Sequence, residues 1–199
     1  MKLVLASGNP GKLREIGALL APLAIELVPQ SRLGIAEADE PHATFLENAL
    51  AKARHASRAA RLPALADDSG LCVAALDSEP GVHSAYYAGR EGSREQRDAR
   101  NNEKLLSRLT EERGAYYYCV MVFLGHADDP HPLVAEGIWR GEIARAPRGA
   151  NGFGYDPLFY LPSLGKTAAE LDPAEKNRIS HRAQALHKLI DLLNDCAHR

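Results

Sequence analysis

The segment from Leu3 to Leu23 leaves few options for how this chain begins. Leu3-Val4-Leu5-Ala6 is a short apolar run that reads as a buried strand. It passes directly into Ser7-Gly8-Asn9-Pro10-Gly11-Lys12, a turn by composition. Leu13, Ile16, Leu19, Leu20 and Leu23 then recur at the spacing of one helix face. A strand, a glycine turn and a helix in that order aim free backbone N–H groups and the positive end of the helix dipole at one spot, which suits an anion. Lys12 adds a full charge, and the glycines let a phosphate approach the backbone closely. This is not a Walker A loop, because only two residues separate Gly8 from Gly11 and Leu13 stands where Ser or Thr should follow the lysine. A plain strand-to-helix turn that needs glycine would look the same.

Further elements follow. Ile25, Leu27 and Val28 suggest a second strand. Thr44 and Glu47 form a capping-box pattern that opens a helix through Ala60. Pro63 to Ala66 and Leu71 to Leu76 read as two strands flanking Asp67-Asp68-Ser69-Gly70, which suggests a tight hairpin. Ser93 and Gln96 repeat the capping pattern before a polar helix that closes with Leu105, Leu106 and Leu109. Ala115 to Leu124 reads as a long central strand, and Pro132 to Ile143 as another. Residues 147–157 are a Gly- and Pro-rich loop, and Asp172-Pro173-Ala174-Glu175 starts a helix. Strands, hairpins and helices alternate irregularly, which favours a single α/β domain over residues 1–199 with a mixed sheet.

Composition narrows the function. Lys plus Arg is 24 and Asp plus Glu is 26, a balance that argues against a general nucleic-acid binder. The three cysteines, Cys72, Cys119 and Cys196, form no C-x-x-C pair, so neither a disulfide framework nor a zinc knuckle is indicated. Cys72 and Cys119 sit in apolar runs and read as buried thiols. No stretch is long enough to serve as a signal-peptide core or to span a membrane, so the cytoplasm is the expected compartment.

Several groups of residues can carry chemistry. Asp67 and Asp68 repel each other at a strand end, and such a pair gains from a hard cation such as magnesium, which reaches proteins through one or two carboxylates plus phosphates. The same residues also suit a solvated turn. Glu40 can add a carboxylate, and Lys52, one turn after Asn48, can reach a phosphate; loop acids and helix lysines are more often simply exposed. In Gly152-Phe153-Gly154-Tyr155-Asp156-Pro157 an aromatic face can stack on a base for about 1–3 kcal/mol. Asp156 can accept from a ring N–H; alternatively the aromatics anchor the loop in the core. Lys176 and Arg182 would face different sides of one continuous helix, so they converge only if the helix breaks near Ile179. Ser180 is a good N-cap, which predicts that break. His181 and Arg182 then lie in a first turn, where cations oppose the dipole, a hint that they serve a ligand. Taken together, these are the parts of a nucleoside triphosphate site.

With these motifs on the page, the chain resembles the inosine/xanthosine triphosphate pyrophosphatase family. The resemblance rests on Ser7-Gly8-Asn9-x-Gly11-Lys12, Thr44-Phe45-x-Glu47-Asn48-Ala49, Ala66-Asp67-Asp68-Ser69-Gly70, Gly152 to Pro157, Gly165-Lys166-Thr167-x-Ala169-Glu170 and Ser180-His181-Arg182, in that order. It implies an elongated α/β fold with a mixed central sheet and flanking helices, two lobes with an active-site cleft between them, and a homodimer. It implies hydrolysis of ITP, dITP or XTP to the monophosphate and pyrophosphate, which removes aberrant purine nucleotides from the pool. Ser7, Gly8, Asn9, Pro10, Gly11, Lys12 and Lys52 would hold the phosphates. Asp68 would be catalytic and would bind magnesium (Mg2+) with Glu40, while Asp67 and Ser69 would line the site. Phe153, Gly154, Tyr155, Asp156, Lys176, His181 and Arg182 would form the base pocket. Tyr86 departs from the family pattern, standing where an arginine is frequent. A related pyrophosphatase of modified pyrimidines is the nearest rival, but its Ser-x-Ser-Pro-Arg-Arg loop is absent here. A non-catalytic nucleotide sensor is a second rival, and the Asp67-Asp68 pair speaks against it.

Overall fold

The structure is a computed structural model that describes residues 2–23 and 25–197, excluding the side chains of 196 and 197. Cys196 therefore lies outside the side chains described. The elements run β1 (Lys2–Leu5), α1 (Pro10–Leu20), β2 (Glu26–Pro29), α2 (Phe45–Ala60), β3 (Ala64–Val73), α3 (Arg94–Arg108), β4 (Gly114–Leu124), β5 (Leu133–Ile143), β6 (Phe159–Leu161), β7 (Lys166–Thr167), α4 (Pro173–Ile179) and α5 (His181–Ala197). The strands form a seven-stranded sheet in the order β2-β1-β3-β4-β5-β6-β7. β1 runs parallel to β2 and β3, while β6 runs antiparallel to β5 and β7, so the sheet is mixed, as the irregular alternation of elements suggests.

By its contacts the chain divides into two compact units. The first comprises residues 1–68, 119–137 and 181–199. Its core gathers Leu3, Leu5, Ile16, Leu20, Leu65, Met121, Leu186 and Leu189, the inward residues of β1, α1, β3, β4 and α5. The second comprises residues 69–118 and 138–180. Tyr117, Trp139, Tyr155, Leu158 and Phe159 dominate its core, and Tyr117, Trp139 and Phe159 meet ring to ring at 4.6–6.4 Å. Each fully buried Leu or Phe contributes about 1.5–3 kcal/mol over its exposed state, so both units hold a sizeable apolar core. Among the described residues no helix is long and apolar enough to cross a membrane.

One expected element is absent. Asp67-Asp68-Ser69-Gly70 is not a hairpin turn; it is the middle of β3, which runs unbroken over ten residues between β1 and β4. Turn composition misleads here because the polar side chains are satisfied by ion pairs from helices, which makes extended backbone tenable at two aspartates. The capping boxes differ as well. Ser93 and Gln96 cap α3 reciprocally, whereas at α2 Thr44 accepts from the Glu47 N–H and its hydroxyl donates to the Glu47 carboxylate. Asp172 stands at the start of α4 without a side-chain cap. The break in the last helical region is where the sequence places it, with Ser180 extended (φ −66°, ψ 160°) between α4 and α5.

Gly137 in β5 permits a close contact that no motif announces. A Cβ built there would lie 1.9 Å from the His181 carbonyl oxygen and 2.8 Å from the Ala185 N. The first turn of α5 therefore rests directly on the strand backbone, and Gly137 sets the seat of His181 and Arg182. Gly137→Ala is expected to destabilise the protein by about 1–3 kcal/mol through overpacking, read as a lower thermal midpoint. An unchanged midpoint would mean that α5 shifts without penalty.

Candidate functional site

In the first unit the glycine turn is built as the N-terminus of α1. Asn9 is the N-cap, and its Oδ1 accepts from the N–H groups of Gly11 at 2.9 Å and Lys12 at 3.2 Å. Ser7 Oγ accepts from the Asn9 N–H, and Pro10 takes the first helical position. The N–H groups of Gly11 and Lys12, expected to be free for an anion, are therefore satisfied internally. What the turn still presents is the exposed Gly8, against which the exposed Glu37 side chain leans closely.

Successive residues of a strand point to opposite faces, and this separates the two aspartates of β3. Asp67, 1% exposed, meets Lys12 of α1 at 2.9 Å and Arg182 of α5 at 3.3 Å. Arg182, 2% exposed, also pairs with Glu15 of α1. Two carboxylates and two cations close this group to neutrality. Burial opposes the ionisation of Asp67, but the charges of Lys12, Arg182 and Lys52 outweigh it and hold the carboxyl well below its usual range. The cation in the first turn of α5, which the sequence suggests is placed for a ligand, is here engaged by two internal carboxylates. Glu15 escaped the sequence reading. Its only signal is its place three residues after Lys12, on the same face of α1.

Asp68 faces a different set. Its Oδ1 accepts from Lys52 Nζ at 2.9 Å, and the same ammonium donates to Glu40 Oε1 at 2.7 Å. Lys52 is buried, and although burial works against its charge, Asp68, Glu40 and Asp67 together raise its pKa. Burial pushes the Asp68 carboxyl above its ordinary value, Lys52 and Lys12 oppose this, and Glu40 adds to it. Glu40 reaches this place because α2 pins its loop. Asn48 bonds both the N–H and the carbonyl of His42, at 3.1 and 3.2 Å, and a ring nitrogen of His55 lies 2.9 Å from the Ala36 carbonyl. Asp68, Glu40 and Lys52 sum to one negative charge, and Asp68 Oδ2 is buried with no hydrogen-bond partner. A hard divalent cation takes oxygen ligands and is commonly held by one or two carboxylates. The surplus charge and the unused buried oxygen therefore fit magnesium at Asp68 and Glu40. The fit does not extend to Asp67, whose charge is already balanced.

The second unit holds the Gly-rich loop. Asp156, 2% exposed, is its hub: Oδ2 accepts from the Phe153 N–H at 2.9 Å and from Lys176 Nζ at 2.5 Å, and Oδ1 from the Tyr117 hydroxyl at 3.3 Å. Gly152 has φ +76°, and a Cβ there would strike the Asp156 carboxylate at 2.1 Å, so the turn requires glycine twice over. Of the two loop aromatics, Tyr155 belongs to the core and donates to the Ser84 carbonyl, while Phe153 is half-buried. The Lys176 ammonium lies 5.0 Å from the Phe153 ring centroid. Phe153, Asp156 and Lys176 are thus brought together as expected, with the carboxylate committed to the protein's own donors. Ser69 follows Asp68 on β3, half-buried. His181 is buried under the Gly137 contact. Tyr86, which stands where the family frequently has an arginine, has the Arg90 and Arg97 guanidiniums 4.2 and 5.5 Å from its ring centroid, so positive charge remains at that place.

The model of the Ham1 family matches residues 3–192, and the chain belongs to this family. A dITP/XTP pyrophosphatase of Burkholderia pseudomallei (strain K96243) is 64% identical over 196 residues, covering 98% of this chain and 94% of its own length. A dITP/XTP pyrophosphatase of Ralstonia nicotianae (strain ATCC BAA-1114 / GMI1000) is 62% identical over 194 residues, 96% of each chain. The solved structure of a HAM1 protein from Coxiella burnetii superposes with a TM-score of 0.88 at 49% identity, covering 98% of this chain and 99% of that one.

The two aspartates should separate in a stability measurement. Asp67→Ala strands Lys12 and Arg182 without their shared carboxylate and is expected to lower unfolding free energy by about 3–5 kcal/mol in a denaturant titration. Asp68→Asn leaves Lys52 paired with Glu40 and should move it by less than about 1 kcal/mol. Equal losses would contradict the division of charge described above.

Proposed function

We propose that this chain hydrolyses dITP, ITP and XTP to the monophosphate and pyrophosphate and so clears them from the nucleotide pool, with magnesium held by Asp68 and Glu40. The observation that carries the reading is the buried Asp68, raised in pKa, sharing one lysine with Glu40 and left with an unused carboxylate oxygen. Relatives at 62–64% identity that carry this activity in their names support it.

Each residue has a part in the proposal. Lys12 and Lys52 would turn from Asp67, Asp68 and Glu40 to phosphate oxygens when substrate binds, with Ser7, Gly8, Asn9, Pro10 and Gly11 shaping the turn beside them. Bound magnesium would supply charge neutralisation at the phosphates. Asp68 orients a water and takes its proton as the water oxygen attacks the α-phosphorus. The bond from that phosphorus to the bridging oxygen breaks, and pyrophosphate leaves with the electron pair. Such catalysis is mainly positioning and electrostatics. Phe153 offers a stacking face, Asp156 fixes it, and Gly154, Tyr155 and Ser69 support the same loop and strand. Lys176 beside Phe153 provides the donor character that a 6-oxo purine accepts and a 6-amino purine does not, while His181 and Arg182 hold the first turn of α5 in place. A site that depends on such hydrogen bonds can reject the wrong base by about 10⁴-fold. The chain is proposed to work in the cytoplasm as a homodimer, which light scattering of the purified protein would check.

The test is pyrophosphate release from ITP, XTP, GTP and ATP, with magnesium and with a chelator. Rapid magnesium-dependent release from ITP and XTP, with ATP nearly inert, is the expected result; guanine shares the 6-oxo group, so GTP tests exclusion at C2. Asp68→Asn should reduce turnover by at least about 10²–10⁴-fold, the usual effect of losing a general base. Near-normal turnover by that variant would overturn the assignment of Asp68, and release from none of the four would overturn the activity.

A further inference from the structure

One face of α3 grips the Phe153-Gly154 segment. Arg94, Asp98 and Asn102 recur every four residues and so share that face. Asp98 Oδ2 accepts from the Gly154 N–H at 2.9 Å, and Asn102 Nδ2 donates to the Gly154 carbonyl at 3.0 Å. Both backbone polar groups of one residue are thus taken by two side chains of one helix. The Arg94 guanidinium lies 4.8 Å from the Phe153 ring centroid and 3.7 Å from the Asp98 carboxylate. Gly154 has φ +63°, a backbone state that glycine enters and leaves at little cost. The chain at this point has no intrinsic reason to hold one conformation, and the two side-chain bonds supply one. The face is itself fixed, because the reciprocal Ser93–Gln96 capping box sets the start of α3.

We propose that Asp98 and Asn102 are positioning residues that hold the Gly154 peptide and thereby present the Phe153 ring to the purine. They set the affinity for the base and leave the phosphate chemistry untouched. The inference rests on the reading of Phe153 as the base platform. The polarity of the contact makes it specific. Asp98 must accept and Asn102 must donate, so the isosteric exchanges Asp98→Asn and Asn102→Asp have opposite outcomes. Asparagine at 98 still offers an acceptor. Aspartate at 102 loses the donor and sets a carboxylate against the Gly154 carbonyl.

The experiment measures KM and kcat for ITP with magnesium, the Kd for pyrophosphate and the thermal midpoint, for the full chain and its variants. Asp98→Ala and Asn102→Asp should raise KM by about tenfold, the effect of one lost hydrogen bond. Their kcat and their Kd for pyrophosphate should remain those of the wild type, and Asp98→Asn should behave as the wild type throughout. If Asp98→Ala fails to fold, the isosteric pair decides alone. Asn102→Asp with an unchanged KM, Asp98→Asn as impaired as Asp98→Ala, or a fall in kcat at constant KM would each overturn the inference while the activity stands. Absence of turnover by the wild type with every purine triphosphate would overturn the functional reading, and this inference with it.

Discussion

The pleat of β3 turns two adjacent aspartates to opposite faces of the sheet, and much of the first unit's chemistry depends on that separation. Had Asp67 and Asp68 pointed the same way, their mutual repulsion would have demanded one shared cation. Instead Asp67 joins Lys12, Arg182 and Glu15 in a buried group that sums to zero, while Asp68 joins Glu40 and Lys52 in one that does not. Desolvating each ion costs several kcal/mol, and a buried network offsets this only when its geometry and hydrogen bonds are complete. The neutral group balances its charges and ties α1, β3 and α5 together. The other group retains a negative surplus and a buried oxygen with nothing bonded to it. That imbalance is unfavourable for folding, and an added cation would relieve it.

Asp156 has an equivalent place in the second unit. A carboxylate sealed in the core accepts from a backbone N–H, an ammonium and a phenol, and so couples Phe153, Lys176 and Tyr117 through a single side chain. The loop is rich in glycine and is tied to the apolar core at Tyr155. Its order comes from charge-assisted hydrogen bonds, which are stronger than neutral ones, and from the α3 face that takes both polar groups of Gly154. A side chain held in this way has little conformational freedom left to lose, and preorganisation of this kind is what increases affinity without adding contact area.

Local chemistry made much of this legible in advance. The glycine turn before α1, the break at Ser180 and the Ser93 capping box each follow from residues within a few positions of one another, where propensity and hydrogen bonding act directly. The misreadings share a cause. Asp67-Asp68-Ser69-Gly70 looks like a turn because its composition is that of turns, yet Lys12, Lys52 and Arg182 neutralise its acids from positions 16 to 115 residues away. Arg182 looks free to meet a ligand for the same reason, since nothing near it in sequence announces Glu15. Asp98 and Asn102 carry no motif, and a polar helix face reads as solvated until a loop is known to lie against it.

What the sequence determined by itself was the inventory and its order: a glycine turn leading into a helix, two acids at the end of an apolar strand, an aromatic loop and a capped helix bearing His181 and Arg182. These depend on side-chain chemistry and short-range spacing, which survive without knowledge of the fold. Only the tertiary structure decided which acid is balanced and which is left in surplus, and which aromatic is core and which is presented. Charge balance and burial are sums over neighbours in space, and the neighbours that matter here come from distant parts of the chain.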